Sequence, residues 1–217
     1  MNQNVIIAAA LIAALIILKS ARENGVLEGD PEDQTGSVLD QLPDFEDLAA
    51  MAQDTMMQTN PEQESANIAA MLMVIRKAEG TASDEGYRAL FGWRPGNGKT
   101  FSSFATHPRT FFTYTDRAGS TIRTSAAGAY QITATTFDGL ARNYGFSSFS
   151  EDAQDAMAVA LIKERGALAD VKAGRFETAL RKIRPVWASL PGAGVNQPER
   201  SMDFVKTAFV EAGGQFA

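Results

Sequence analysis

The chain is 217 residues long, 45% hydrophobic and 21% charged, enough apolar material for a packed core and too little bias for a disordered or collagen-like protein. It contains no cysteine and one histidine, His107, which excludes disulfide frameworks, thiolate metal sites, iron–sulfur clusters and multi-histidine zinc sites, and leaves a serine triad only one possible base. The net charge of −6 is uneven: residues 23 to 66 carry twelve Asp or Glu and no Lys or Arg, whereas residues 67 to 217 carry 18 basic and 14 acidic side chains. A mildly basic C-terminal portion suits an anionic polymer and is far from the basic stripe of a nucleic-acid binder, so no nucleic-acid partner is expected.

Val5 to Leu18 is an unbroken apolar run of 14 residues, apolar on every side, which prefers lipid to a groove. As a helix it rises about 21 Å, short of a hydrocarbon core of about 30 Å, a shortfall that snorkelling by Lys19 and local thinning can absorb. No basic residue precedes the run, and cleavage after Ala21 puts Lys19 at the small-residue position. Residues 1–22 therefore read as an uncleaved membrane anchor in preference to a removed signal peptide or a buried core helix. Lys19 and Arg22 favour a cytoplasmic C-terminal side, but long domains translocate against weak charge cues, and the topology stays open.

Residues 23–66 are acidic and punctuated by Gly25, Gly29, Pro31, Gly36, Pro43 and Pro61, the composition of a linker. Within it, Asp44 can cap a short helix presenting Phe45, Leu48, Ala52 and Met56 on one side, either a docking element or a transient helix. From residue 67 the pattern is globular. Ser65 is a candidate N-cap for a helix through Ile68, Met71, Leu72 and Ile75 that runs out at Ala78-Glu79-Gly80-Thr81. Residues 82–132 are rich in Gly, Ser, Thr and aromatics, with strand-like runs at 110–115, at 121–123 and near 130–133. Helices follow near 134–144, 150–165, 175–184 and 198–212, three of them closing on Gly145, Gly166 and Gly213. The fold class is α+β, mainly helical, with a small β-subdomain after the first helix of the 67–217 domain.

Chemistry in this composition must lean on carboxylates, hydroxyls and amides. Glu79 sits where an apolar helix meets the β-subdomain, and a negative helix C-terminus disfavours its ionised form and raises its pKa, as a general acid requires. By itself a Glu at a helix end is more often a solvated surface residue than a catalytic one. Arg94 to Thr100 lacks the spacing of a phosphate loop and reads as a lid or hairpin loop.

Lys77-Ala78-Glu79-Gly80-Thr81 is followed in order by His107-Pro108-Arg109, Ser125 to Gln131, Gln154-Asp155-Ala156, Ile162 to Leu168, Trp187 to Gly194 and Glu211 to Gly214. Over about residues 68 to 214 this series resembles the lambda-type phage endolysins, which are lytic transglycosylases of the lysozyme-like superfamily. The resemblance implies a two-lobed lysozyme-like domain with Glu79 as its catalytic glutamate. It also implies that Tyr130 and Gln131, in a Gly-x-Tyr-Gln element, line the cleft floor opposite the acid. Ser125 of the same run, His107 and Tyr87 are further candidates for substrate contact; His107 is more plausible as a structural or substrate-binding hydrogen-bonding residue than as a base. Tyr87 and Trp93 either stack on sugars or belong to the core. The family's Ser-Thr-Gly-Ala-Gly-Arg-Tyr-Gln departs here at Ala126 and Ala129, which puts in doubt any contact made by the missing Arg. Trp187 to Gly194 reads as a lobe-packing segment, a marker of fold more than of the site.

The implied reaction cleaves the β-1,4 bond between N-acetylmuramic acid and N-acetylglucosamine. Glu79 protonates the glycosidic oxygen, then accepts the proton of the muramoyl C6 hydroxyl as that oxygen attacks C1, giving a 1,6-anhydro end. A hydrolase instead needs a second carboxylate. The nearest in sequence are Asp84 and Glu85, with Asp116 farther on, while the Asp that a T4-type phage lysozyme places nine residues on is Arg88 here. No metal or organic cofactor is implied. The expected partners are peptidoglycan strands, a membrane through the N-terminal run, and virion proteins. The expected location is a virion membrane or the host inner membrane facing the periplasm, for lysis or for entry. A hydrolytic muramidase and a non-catalytic glycan-binding virion protein are the alternatives, the Arg-to-Ala change supporting the second.

Overall fold

Proline has no N–H to leave unpaired in a first helical turn, and Pro61 opens helix α1 (Pro61–Glu79). Glu62 and Glu64 in its first turn and Arg76 and Lys77 in its last complement the helix dipole. Ser65, the expected N-cap, lies inside the helix instead, its hydroxyl donating back to the Pro61 carbonyl at 2.9 Å. The computed structural model describes residues 60–116, 118–194 and 198–217, and residues 61–217 form one unit, so the boundary expected at 66/67 falls six residues too late. The apolar run and the helix proposed for 45–56 lie outside the described residues. Among the described residues, no helix is long and apolar enough to cross a membrane.

The apolar positions of α1 recur every three or four residues, and Ala70, Met71, Val74 and Ile75 are fully buried, each large side chain contributing roughly 1.5–3 kcal/mol. That face packs against α3 (Glu151–Glu164), α4 (Leu168–Lys172) and α6 (Met202–Glu211). Asn67 ties the same helix to both neighbouring ends: its amide donates to the Lys172 carbonyl at 2.9 Å and its oxygen accepts from the Gln215 amide at 2.8 Å.

Between α1 and the helical remainder lie a short 3-10 helix (Asp84–Arg88) and an antiparallel hairpin of β1 (Phe112–Thr115) and β2 (Thr121–Thr124). Phe112 pairs with Thr124 and Thr115 with Thr121, and the Asp116 carboxylate closes the turn by accepting from the Ser120 amide at 2.8 Å. The third strand expected near 130–133 does not form. Gln131 donates its backbone N–H to the Gly128 carbonyl, and Gln131 itself has φ +47°. This turn leaves only an isolated bridge between Ala127 and Ile132.

The later helices follow their capping residues. Thr133 and Ser150 accept from backbone amides at the starts of α2 (Ala134–Tyr144) and α3, and Ser201 does so for α6. Gly145, Gly166 and Gly213 take positive φ after α2, α3 and α6. Helix α5 (Phe176–Ile183) matches the expected 175–184. Helix α4 has no counterpart in the sequence reading, since five residues are too few to display a 3.6-residue period.

Candidate active site

Glu79 is the last residue of α1. Gly80, at φ +79°, reverses the chain as a residue with Cβ does only under strain. The Thr81 amide returns to the Arg76 carbonyl at 2.8 Å. The buried Thr81 hydroxyl donates to the Ala129 carbonyl at 2.6 Å. The Glu-Gly-Thr run is thus a helix end, a turn and a fastening to the 125–131 segment.

This corner opens on a cleft of about 740 Å³ lined by Ala78 to Thr81, Leu90 to Pro95, Tyr114 to Asp116, Gln131, Ser189 and Pro198 to Arg200. Phe91 and Tyr114 stack at 4.9 Å between centroids on one side. Ser189 donates its hydroxyl to Glu79 Oε1 at 2.7 Å. Burial pushes the Glu79 carboxyl above the ordinary carboxylate range; the Ser189 hydrogen bond and the Arg200 charge pull the other way without overcoming it.

Three carboxylates line the cleft: Glu79, Asp116 and Glu199. One oxygen of Asp116 accepts from the Ser120 amide in its hairpin turn. Glu199 accepts from the backbone amides of Gly192 and Gly194 at 2.7 and 2.6 Å, which holds its carboxyl below the usual range. Asp84 and Glu85 are not among the lining residues. Among the described residues, no group of three or more His, Cys, Asp or Glu is arranged to hold a metal.

Of the residues expected to contact substrate, Gln131 lines the cleft, as do Trp93 and, from the 94–100 loop, Arg94 and Pro95. Gln131 donates its side-chain amide to the Gly128 carbonyl at 3.0 Å. Tyr130 is 1% exposed, and its hydroxyl donates to Asp155 Oδ1 at 2.6 Å. The Tyr87 hydroxyl donates to the same carboxylate at 2.9 Å and accepts from Arg76 at 3.1 Å. Burial and Asp155 together push Tyr87 up to about 12 and Tyr130 higher still. His107 is 1% exposed, edge-on to Phe149, with Nε2 against the Ile132 carbonyl at 2.9 Å and Nδ1 accepting from the Arg109 amide at 3.1 Å. Ser125 is buried and accepts from the Ala134 amide at 2.9 Å. The expectation of substrate contact by Tyr130, Tyr87, His107 and Ser125 is therefore corrected: their polar atoms are spent inside the protein. Ala129, where the family motif has Arg, is fully buried in the core and does not line the cleft.

The sequence reading missed Ser189, Arg200, Phe91 and Tyr114. Trp187 does pack as expected, its indole N–H donating to the Tyr130 carbonyl at 3.0 Å, but two residues on Ser189 reaches the Glu79 carboxyl. A hydroxyl inside a matched Trp-Ala-Ser-Leu-Pro-Gly run was the available signal.

Residues 69–216 match the family model described as Endolysin. The chain is 35% identical over 160 residues to the endolysin of Escherichia phage P2, covering 68% of this chain and 93% of that protein. It is 35% identical over 151 residues to the endolysin of Escherichia phage lambda, covering 67% and 90%. Among solved structures, bacteriophage lambda lysozyme complexed with a chitohexasaccharide superposes with a TM-score of 0.62 at 32% identity, over 70% of this chain and 97% of that one.

Proposed function

The chain belongs to the endolysin family, and from that membership we propose that it degrades peptidoglycan as a lytic transglycosylase, with Glu79 as acid and then base. The observation that carries this reading is the environment of Glu79: a carboxyl pushed by burial toward its neutral form, in a cleft whose other carboxylates already hold backbone turns. A neutral carboxyl can protonate the oxygen between a muramoyl unit and its neighbour, and the carboxylate so formed can take the proton of the muramoyl C6 hydroxyl as that oxygen closes on C1. Gln131, the Phe91–Tyr114 pair and Trp93 supply the amide and aromatic surfaces along which a glycan lies. The solved lambda lysozyme complex with a chitohexasaccharide supports a sugar chain as the ligand of this cleft.

We read residues 1–22 as an uncleaved anchor that holds the enzyme at a virion membrane or at the host inner membrane facing the periplasm, and residues 23–60 as its tether. Virion proteins are partners only where the enzyme travels with the particle. Hydrolysis is the second reading, favoured by Asp116 in the cleft wall. Mass spectrometry of muropeptides released from purified peptidoglycan separates them, because a 1,6-anhydro end is lighter by one water than a reducing end. Anhydro ends that disappear in Glu79→Gln support the transglycosylase; reducing ends refute it in favour of a hydrolase.

A further inference from the structure

Glu79 and Ser189 are 110 positions apart in sequence, and the backbone around Ser189 is fixed from several directions. Trp187 is held by Tyr130. The Leu190 amide donates to the Trp187 carbonyl at 3.0 Å, and the Arg200 amide donates to the Ser189 carbonyl at 2.8 Å, closing the 189–200 loop at its base. Arg200 then reaches across with Nε to the Ala78 carbonyl at 3.2 Å, the peptide adjoining Glu79. Inside the loop, Glu199 binds the amides of Gly192 and Gly194. Ser189 is thus presented by a stapled loop, and its hydroxyl goes to one carboxyl oxygen of Glu79. The other, Oε2, has no hydrogen-bond partner among the described residues.

We infer that Ser189 is the positioning residue of the acid, fixing the Glu79 carboxyl through Oε1 so that Oε2 is the oxygen that gives and regains the proton. This rests on Glu79 being the acid. In the first step the proton passes from Oε2 to the glycosidic oxygen, the C1–O bond breaks with its electron pair on that oxygen, and the leaving sugar departs as an alcohol. The carboxylate then carries the Ser189 hydrogen bond, which is stronger to a charged acceptor than to a neutral one, with the Arg200 guanidinium contributing attraction. In the second step the C6 oxygen bonds to C1 and its proton goes to Oε2. A hydroxyl that strengthens its bond as charge develops stabilises the transition state more than the ground state. The charged groups facing the same cleft are Arg94, Asp116, Glu199 and Arg200, and none changes in the variants below.

The test is the pH–rate profile of the full chain in detergent on purified peptidoglycan, for the parent, Glu79→Gln, Ser189→Ala and Ser189→Thr, each with a melting curve. We expect Ser189→Ala to lower kcat about tenfold to a hundredfold, the factor that follows from losing a hydrogen bond to a charged group, with little change in KM. Its alkaline limb moves to higher pH, because losing the donor disfavours the carboxylate. Ser189→Thr restores both. An alkaline limb that stays in place in Ser189→Ala, or a Ser189→Thr protein that melts like the parent yet behaves as the alanine variant, overturns the inference. If Ser189→Ala unfolds, Ser189→Cys, of similar volume and a weak donor, gives the same readout. Loss of activity in Glu79→Gln beside a normal Ser189→Ala sinks the role of Ser189 alone, whereas an active Glu79→Gln sinks the assignment of the acid.

Discussion

Gln154 is fully buried at the first turn of α3 and uses its whole amide: Oε1 accepts from the Ala129 amide at 2.8 Å, and Nε2 donates to the carbonyls of Tyr87 and Phe149 at 3.0 and 2.9 Å. Gln154→Ala strands the Ala129 N–H, at about 1–3 kcal/mol, and removes two further hydrogen bonds at about 0.5–1.5 kcal/mol each. With the void left by the shortened side chain added, the total is about 3–6 kcal/mol, a large part of the stability of an ordinary domain. Urea denaturation followed by circular dichroism is the assay, and the midpoint should fall with the slope unchanged. Gln154→Met fills the volume without the amide and separates the polar cost from the packing cost. A loss under about 1 kcal/mol for Gln154→Ala refutes the reasoning, since it would mean that these three bonds do not hold the Ala129 turn. Gly128→Ala attacks the same point from the other side: a Cβ there runs into the hydrogen-bonded side-chain amide of Gln154 on a backbone at φ +75°, and a comparable destabilisation is expected.

Glu79 costs the fold stability above the ordinary carboxylate range, because its raised pKa means that the folded protein binds the proton more tightly than the unfolded chain; stability falls as pH rises through that interval. Glu79→Gln should therefore melt higher than the parent at neutral pH, with the gain vanishing in acid; an equal melting temperature at all pH values contradicts this. The single histidine offers a clean probe: burial lowers His107, so its ring resonances in NMR should stay neutral through the range where a free imidazole charges. Stability in turn should drop as pH falls below that range toward the folded value. Of the four tyrosines, Tyr87 and Tyr130 should resist ionisation in an ultraviolet titration until about pH 12 or beyond. Because the folded state keeps those protons, stability declines as pH climbs from the normal tyrosine value, and Asp155→Asn should bring both transitions down.

The helical frame was legible because its signals are local. Gly80 after an apolar stripe ends α1, and Gly145, Gly166 and Gly213 mark three more ends through a conformation that side-chain-bearing residues avoid. The place of Glu79 as the last residue of a periodic helix was legible for the same reason, whereas its candidacy as the acid came from the resemblance of its Glu-Gly-Thr setting to the family motif. The direction in which an amphipathic residue points is not local. Tyr130 and Tyr87 carry rings fit for a sugar face and hydroxyls fit for a carboxylate, and only the arrival of Asp155 from α3, 25 and 68 positions away, decides between them. The supposed third strand failed likewise: Tyr130 to Thr133 has strand-like residues, but the Gly128 turn and the left-handed Gln131 bend the backbone first. Ser189 stood in a matched run, but nothing local told where its hydroxyl goes, because its partner lies 110 positions away.

Helix α1 ends on Glu79, yet part of its apolar face is covered by α6, the last of the described helices to be synthesised. During translation, then, the glutamate emerges early on an unfinished surface, and its serine and the covering helix follow only after more than a hundred further residues. A nascent chain that ends before α6 therefore leaves part of the apolar face of α1 uncovered, and the core closes only when the C-terminal helix docks.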